Sequence, residues 1–367
     1  MKTIKYAILA GALLSASLYA NAQQMPGGPG QPDMRIDAAQ RKQLIDGMLK
    51  EMHANYVFPE KAKKVDADIR QHQQRGDYDA VTSAEKLSGL LTEHVYATTK
   101  DKHLKVFYSN RPIPVESKDK KPSAEETAEQ LAGMQSQNFG IERIERLPFN
   151  VGYLALNAFA PSKDAAQSLS AAMTSLAYTD SLIIDLRKNG GGDPATVTFL
   201  ASYLLDERTH MTDIYYRQGD HTEQMWSQDV VPGLRYGQKK DVYILTSKHT
   251  FSAAEDFSYA MKSLKRAIIV GETTGGGAHP GDMMRLNEHF SMFIPNGRSI
   301  GPVTKTNWEG VGVAPDMSVP AEDAMKTAQI AILKKLAGKE KNPGRLERIN
   351  ARIAKVGSEN TAGTMAR

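Results

Sequence analysis

"SLIIDLRKNGGG", residues 181–192, is the stretch on which the fold turns. From Ser181 to Leu186 the run is almost continuously apolar, without the alternation of a half-exposed strand. A strand of that kind is covered on both faces, as in the middle of a parallel sheet. Three glycines follow at once. Loops at the carboxyl ends of such strands are where open α/β sheets hold ligands, and successive glycines let backbone N–H groups face an anion. The same loop also reads as a tight strand-to-helix turn. It is not G-x-G-x-x-G and no G-K-[ST] follows, which disfavours nucleotide binding.

Working outward from this strand, apolar runs and helical periods alternate. "VGYLALNAF" (151–159) is a strand, and residues 194–205 form a helix. "DVYILT" (241–246) is a strand, followed by a helix from about Ser252 to Leu264 and the strand "AIIVG" (267–271). Short strands and turns fill 285–301, and 320–337 is a helix. This rhythm predicts an α/β core with a covered sheet over residues 147–337.

Upstream, Leu44, Ile45, Met48, Leu49 and Met52 make one helical face behind an Asp37 cap. Pro59 suits the first position of a second helix. Thr82-Ser-Ala-Glu85 reads as a capping box opening a third. Residues 34–102 are therefore expected to form a small helical domain. "HLKVFYS" (103–109) is strand-like, and 110–146 is polar. The segment 103–146 reads as a strand plus a linker or lid, with one helix capped at Ser123. Residues 338–367 read as a frayed basic tail.

The first 22 residues have Lys2 and Lys5, an apolar stretch from Ala7 to Leu18, and Ala20-Asn21-Ala22. This is the pattern of a cleavable signal peptide. It predicts a periplasmic or secreted protein without stable membrane insertion. A Gly/Pro-rich lead-in spans 23–33. The chain has no cysteine, so disulfides and thiolate chemistry are excluded. Its net charge is +4, but the two ends carry the excess. Residues 23–337 hold 37 basic and 39 acidic groups, which gives little support for nucleic-acid binding.

A second candidate for chemistry is "TFSAAEDF" (250–257). Ser252 and Glu255 have the spacing of a capping box. Ser252 could equally be a nucleophile at the first turn of the helix. A serine hydroxyl needs a base to become nucleophilic, and an acyl-transfer site needs donors for the oxyanion. The N–H of Ala253 would be free in that first turn, and Gly190 or Gly191 could supply a second donor. Three of the nine histidines merit weighing as base: His103, His249 and His279. A base needs an orienting partner, for which Glu309 is one candidate. Spacing alone does not choose among cap, nucleophile and base.

Taken together, "DLRKNGGG", "TFSAAEDF", "IIVGETTGGGAHPG" and "EGVGVAPD", in that order, resemble the tail-specific (C-terminal processing) serine peptidase family. That family includes the tricorn core protease and interphotoreceptor retinoid-binding protein. "NYVFPEKA" (55–62) resembles the helical domain of the retinoid-binding-protein-like branch. The resemblance covers about 34–330 and implies a crotonase/Clp-protease-like α/β core behind a small helical domain. It implies Ser252 as nucleophile, with Ala253 and the Gly190–Gly191 region as oxyanion donors. The general-base lysine of the processing peptidases is replaced, at Gly277, and 110–146 is too short for a PDZ module. The tricorn-like arrangement fits better, with His103 as base and Glu309 as the later carboxylate. Gly276, Gly277 and His279 then line the substrate groove. No metal or organic cofactor is implied, and the partner is a peptide or protein substrate. A carrier of apolar ligands, or a hydrolase of another acyl substrate, is the alternative.

Overall fold

The computed structural model describes residues 31–115 and 123–358. The expected signal peptide, most of the lead-in and the last nine residues lie outside the described residues.

The core is a six-stranded sheet. In chain order its members are β2 (Ile141–Leu147), β3 (Val151–Leu156), β4 (Ser181–Asp185), β7 (Asp241–Thr246), β8 (Ile268–Gly271) and β12 (Met317–Ser318). Their spatial order is β12-β8-β7-β4-β3-β2, with β2 antiparallel at one edge and the rest parallel. Side chains alternate between faces along each strand. Leu154, Leu156, Leu182, Ile184, Val242 and Ile244 pack against α5 (Ser162–Leu176), α6 (Pro194–Ser202) and α7 (Ala253–Ser263). Tyr153, Ala155, Ile183, Tyr243 and Leu245 face the other way, onto Ala324, Ala328 and Ile332 of α8 (Ala321–Ala337). Helices on both faces explain why β4 reads as a continuous apolar run.

Helices α1 (Ala38–Asn55), α2 (Pro59–Gln74) and α3 (Ala84–Thr99) form where the periodicity put them. Asp37 caps α1 by accepting from Gln40 N, and Pro59 opens α2. The cap of α3 is Ser83, one residue later than expected: its side chain accepts from Lys86 N at 2.9 Å. The N–H of Glu85 goes instead to Asp33.

Three boundaries differ from the sequence reading. The strand β1 (Lys105–Tyr108) does not begin a linker; it pairs antiparallel with β10 (Phe290–Pro295), which pairs with β9 (Gly281–Arg285). Leu104, Val106, Tyr108, Phe290, Met292 and Ile294 share one core with α1–α3. The N-terminal unit is thus completed by a hairpin from late in the chain. Next, 110–146 is not all linker: α4 (Ala124–Ser136) is capped by Ser123 as expected, but β2 belongs to the core sheet. Lastly, the tail is not frayed throughout. Residues Pro343–Ser358 form α9, with Ile349 and Val356 buried. A third sheet, β11 (Gly297–Ile300), β5 (His210–Tyr216) and β6 (His221–Trp226), flanks the core. Its register sets Ile214 opposite Ser299.

Candidate active site

The motif after β4 is anchored first. Asp185 at the strand end is buried and takes the Arg187 guanidinium at 2.6 Å and the Tyr153 hydroxyl at 2.8 Å. Arg187 also donates to Ala321 O, tying the strand end to α8. The chain then turns through Asn189, which is fully buried. Gly191 has φ 111° and lies against the start of α7: a Cβ there would come within 2.7 Å of Ser252 Cβ. Only glycine meets both conditions.

Ser252 is the residue preceding α7, with φ 55° and ψ −122°. A non-glycine residue in that region is costly, by about 1–3 kcal/mol, and persists only where its surroundings hold it. What holds it is Glu255. The wholly buried Glu255 carboxylate accepts from Ser252 N at 2.9 Å, Thr274 Oγ1 at 2.5 Å, Gly276 N at 2.6 Å and Gly277 N at 2.8 Å. Burial raises its pKa, partly opposed by these bonds. The Glu255 half of the expected capping box therefore exists, and it clamps the 275–277 loop as well.

A groove of about 750 Å³ opens over this point. Ser252, Ala253, Gly190, Gly277 and His103 all line it. Gly191 does not; its N–H is engaged by Asn189 Oδ1 at 2.8 Å. Of the three expected donors, Gly190 and Ala253 line the groove. Gly276 and His279 are not on the wall either. Gly276 gives its N–H to Glu255, and His279 is 4% exposed, beneath the groove. His249 lines the groove, on the turn before Ser252.

His103 packs its ring against Phe251, the neighbour of Ser252, with centroids 4.5 Å apart. Burial pushes its pKa down to about 4, against the pull of nearby Asp101. Its Nδ1 has no hydrogen-bond partner and stands 3.8 Å from Asp101 Oδ1. Asp101 is the site residue that the sequence reading overlooked. It is 1% exposed, accepts the His103 backbone N–H at 3.0 Å, and accepts from His279 Nδ1 at 2.8 Å and the Tyr56 hydroxyl at 3.2 Å. Burial pushes its pKa up, but the two histidines outweigh that and hold it below the usual range. The local signal was an aspartate two residues before a histidine, the spacing of a side-chain-to-backbone turn.

Glu309 is one histidine removed from His103. Its Oε2 accepts Ala278 N at 2.6 Å and lies 3.4 Å from His279 Nδ1. Burial, then the charge of Asp101, raise its pKa to about 7. Asp101, His279 and Glu309 each bring one ligand atom within 4.8 Å of the others. A tetrahedral ion with ~2.0–2.1 Å bonds would set its ligands roughly 3.3 Å apart. The 2.8 Å approach of His279 to Asp101 is shorter, and is a hydrogen bond.

A helix-opening serine thus stands beside a glycine loop on the carboxyl side of a parallel sheet. Residues 150–319 match the model of peptidase family S41, and residues 38–143 match its N-terminal domain as found in eukaryotic IRBP. This chain belongs to peptidase family S41. A probable CtpA-like serine protease of Staphylococcus aureus is 24% identical over 315 residues, covering 76% of this chain and 60% of its own length. Carboxyl-terminal-processing peptidase 2, chloroplastic, of Arabidopsis thaliana is 25% identical over 172 residues, 46% of this chain and 32% of its own. The chain thus spans 60% or less of these curated relatives. Mature CPAF shares the fold, with TM-score 0.54 at 12% identity over 78% of this chain and 94% of that one.

Proposed function

We propose that this chain is an exported serine peptidase in which Ser252 attacks a peptide carbonyl. The observation that carries this reading is the strained Ser252 backbone, held by Glu255 at the mouth of α7 on the groove that His103 also lines. With Nδ1 turned to Asp101, Nε2 of His103 is the nitrogen left to take the serine proton. A base below its ordinary pKa is neutral, and so competent, at neutral pH. The N–H groups of Gly190 and Ala253 receive the oxyanion. The imidazolium then protonates the leaving amine, and the acyl-enzyme is released by a water that gives its proton to His103. Asp101 steadies the imidazolium. Glu309 acts through His279 rather than on His103 directly. The lead peptide read in residues 1–22 supports export and thus a peptide or protein substrate outside the cytoplasm.

A serine-directed phosphonate should modify Ser252, and Ser252→Ala should lose labelling and at least 10³-fold in peptide turnover while melting as the wild type does. A folded wild-type protein that never acquires the label sinks the proposal. The groove walls include Phe107, Ile214, Met283 and Phe293, so an apolar-ligand carrier is the second reading. Equal turnover by Ser252→Ala, with fatty-acid or retinoid binding retained, would favour that carrier.

A further inference from the structure

One buried carboxylate on the groove wall is unused by this chemistry. Asp256 stands four residues after Ser252, one helical turn along α7, and lines the groove. Ser252 precedes the first turn of that helix, and both residues face the groove. Asp256 is 7% exposed. Its Oδ1 accepts the Thr212 hydroxyl at 2.5 Å. Among the described residues no lysine, arginine or histidine is paired with it, and Thr212 is its one hydrogen-bonded side-chain partner. A buried carboxylate without a cation is expensive, and proteins seldom keep one without use. Burial alone accounts for the upward shift of its pKa, to about 6, against the Thr212 bond.

The surroundings have the form of a side-chain slot. Ile214 lies two residues beyond Thr212 on β5, hence on the same face, and lines the groove. Its register partner Ser299 lines it as well, as do Ala253 and Pro194. An aliphatic stem would lie along Ile214, Ala253 and Pro194, and a charged head would meet Asp256. A lysine or arginine stem is long enough to cross one helical turn from the carbonyl under attack. The other charged groups on the wall, Asp101, Lys102, Lys105 and Lys248, and the histidines 103 and 249, come from β1 and its approach and from the turn before Ser252, and Asp101 is already engaged by His279 and Tyr56. None is on β5 or β11.

Resting on the peptidase reading, we propose that Asp256 is the specificity-determining residue of a slot beside Ser252, and that the protein selects substrates whose residue on the acyl side of the scissile bond is lysine or arginine.

The test compares two diphenyl phosphonates, one with an aminobutyl and one with an isobutyl side chain, by their rates of labelling Ser252 in the full chain. The wild type should react at least tenfold faster with the aminobutyl reagent. Benzamidine should slow both reactions by occupying the slot. In Asp256→Asn the aminobutyl-to-isobutyl ratio should fall at least tenfold. The ratio is internal to each variant, so a general loss of folded protein does not move it. A wild type that reacts equally with both, or faster with the isobutyl reagent, overturns the slot and leaves the peptidase reading standing, and it does so even where Asp256→Asn fails to fold. A ratio unmoved by Asp256→Asn does the same, reducing Asp256 to a partner of Thr212. No labelling by either reagent removes the peptidase reading, and this inference with it.

Discussion

His103 and Glu309 are shifted in opposite directions by the same burial. His103 is held near 4 and Glu309 near 7, from ordinary values of 6.5 and 4.5. Between these limits the unfolded chain holds a proton on the histidine that the folded one lacks. That term makes stability fall as pH drops from 6.5 towards 4. Glu309 works the other way: the folded carboxyl keeps its proton after the unfolded one has lost it, so stability falls as pH rises from 4.5 to 7. The two slopes offset one another across pH 4.5–6.5. Glu309→Gln removes one of them. The variant should therefore gain on the wild type as pH rises through 4.5–7, by ~3 kcal/mol for a shift of this size. Chemical denaturation of both proteins at pH 4.5, 5.5 and 7 reads this difference. A constant gap would mean that Glu309 titrates normally in the fold. The acid limb of activity should likewise lie well below 6.5, since His103 stays neutral to lower pH.

At the scale of the element, the start of α7 and the loop over 274–277 act as one unit. Glu255 joins them through four donors, three of them backbone N–H groups. Sequence spacing made Glu255 visible only as a capping partner. Its other three donors come from 19 to 22 residues away and had no local signature. Glu255→Ala leaves those donors buried and unpaired, which should cost about 3–5 kcal/mol. It also releases Ser252 from its strained backbone. Phosphonate labelling of the fraction that remains folded should fall at least a hundredfold. Labelling that merely tracks the folded fraction would show that the Ser252 conformation does not depend on Glu255. Gly277, the position to which the sequence resemblance assigns the processing peptidases' lysine, abuts His103: a Cβ there would meet His103 Cε1 at 2.6 Å. In this structure the imidazole fills the space that a side chain at 277 would need.

Across the whole molecule, the two halves of the site belong to different cores. Ser252 and the glycine loop stand on the α/β sheet. His103 stands between α3 and β1, in the helical unit that β9 and β10 complete. Its position relative to Ser252 is therefore set by the packing of that unit. Leu104, adjacent to His103 and 1% exposed, is part of this core. Leu104→Ala should cost about 2–5 kcal/mol. Because the cavity opens beside the proposed base, kcat/KM should drop more than tenfold in protein that circular dichroism reports as folded. Activity in proportion to the folded fraction would mean that the hairpin alone fixes His103.

How much of this was legible in the chain follows the range of the interactions. Strands β3, β4, β7 and β8, the helices α1–α3 and α6–α8, and the glycine loop follow from apolar periodicity and turn chemistry, which act over a few residues. Ser252 at a helix start was equally legible, since its local partner Glu255 is three residues away. The pairing of β1 with β10 was not, because a strand's register partner is fixed by the sheet it joins and not by its own residues. Asp101 and His279 meet across 178 positions, and Glu309 approaches His279 from a third loop. The raised pKa of Glu309 depends on burial that exists only once the two cores have closed on one another. The chemistry of the candidate groups was written locally; which of them touch, and in what charge state, was decided by long-range packing.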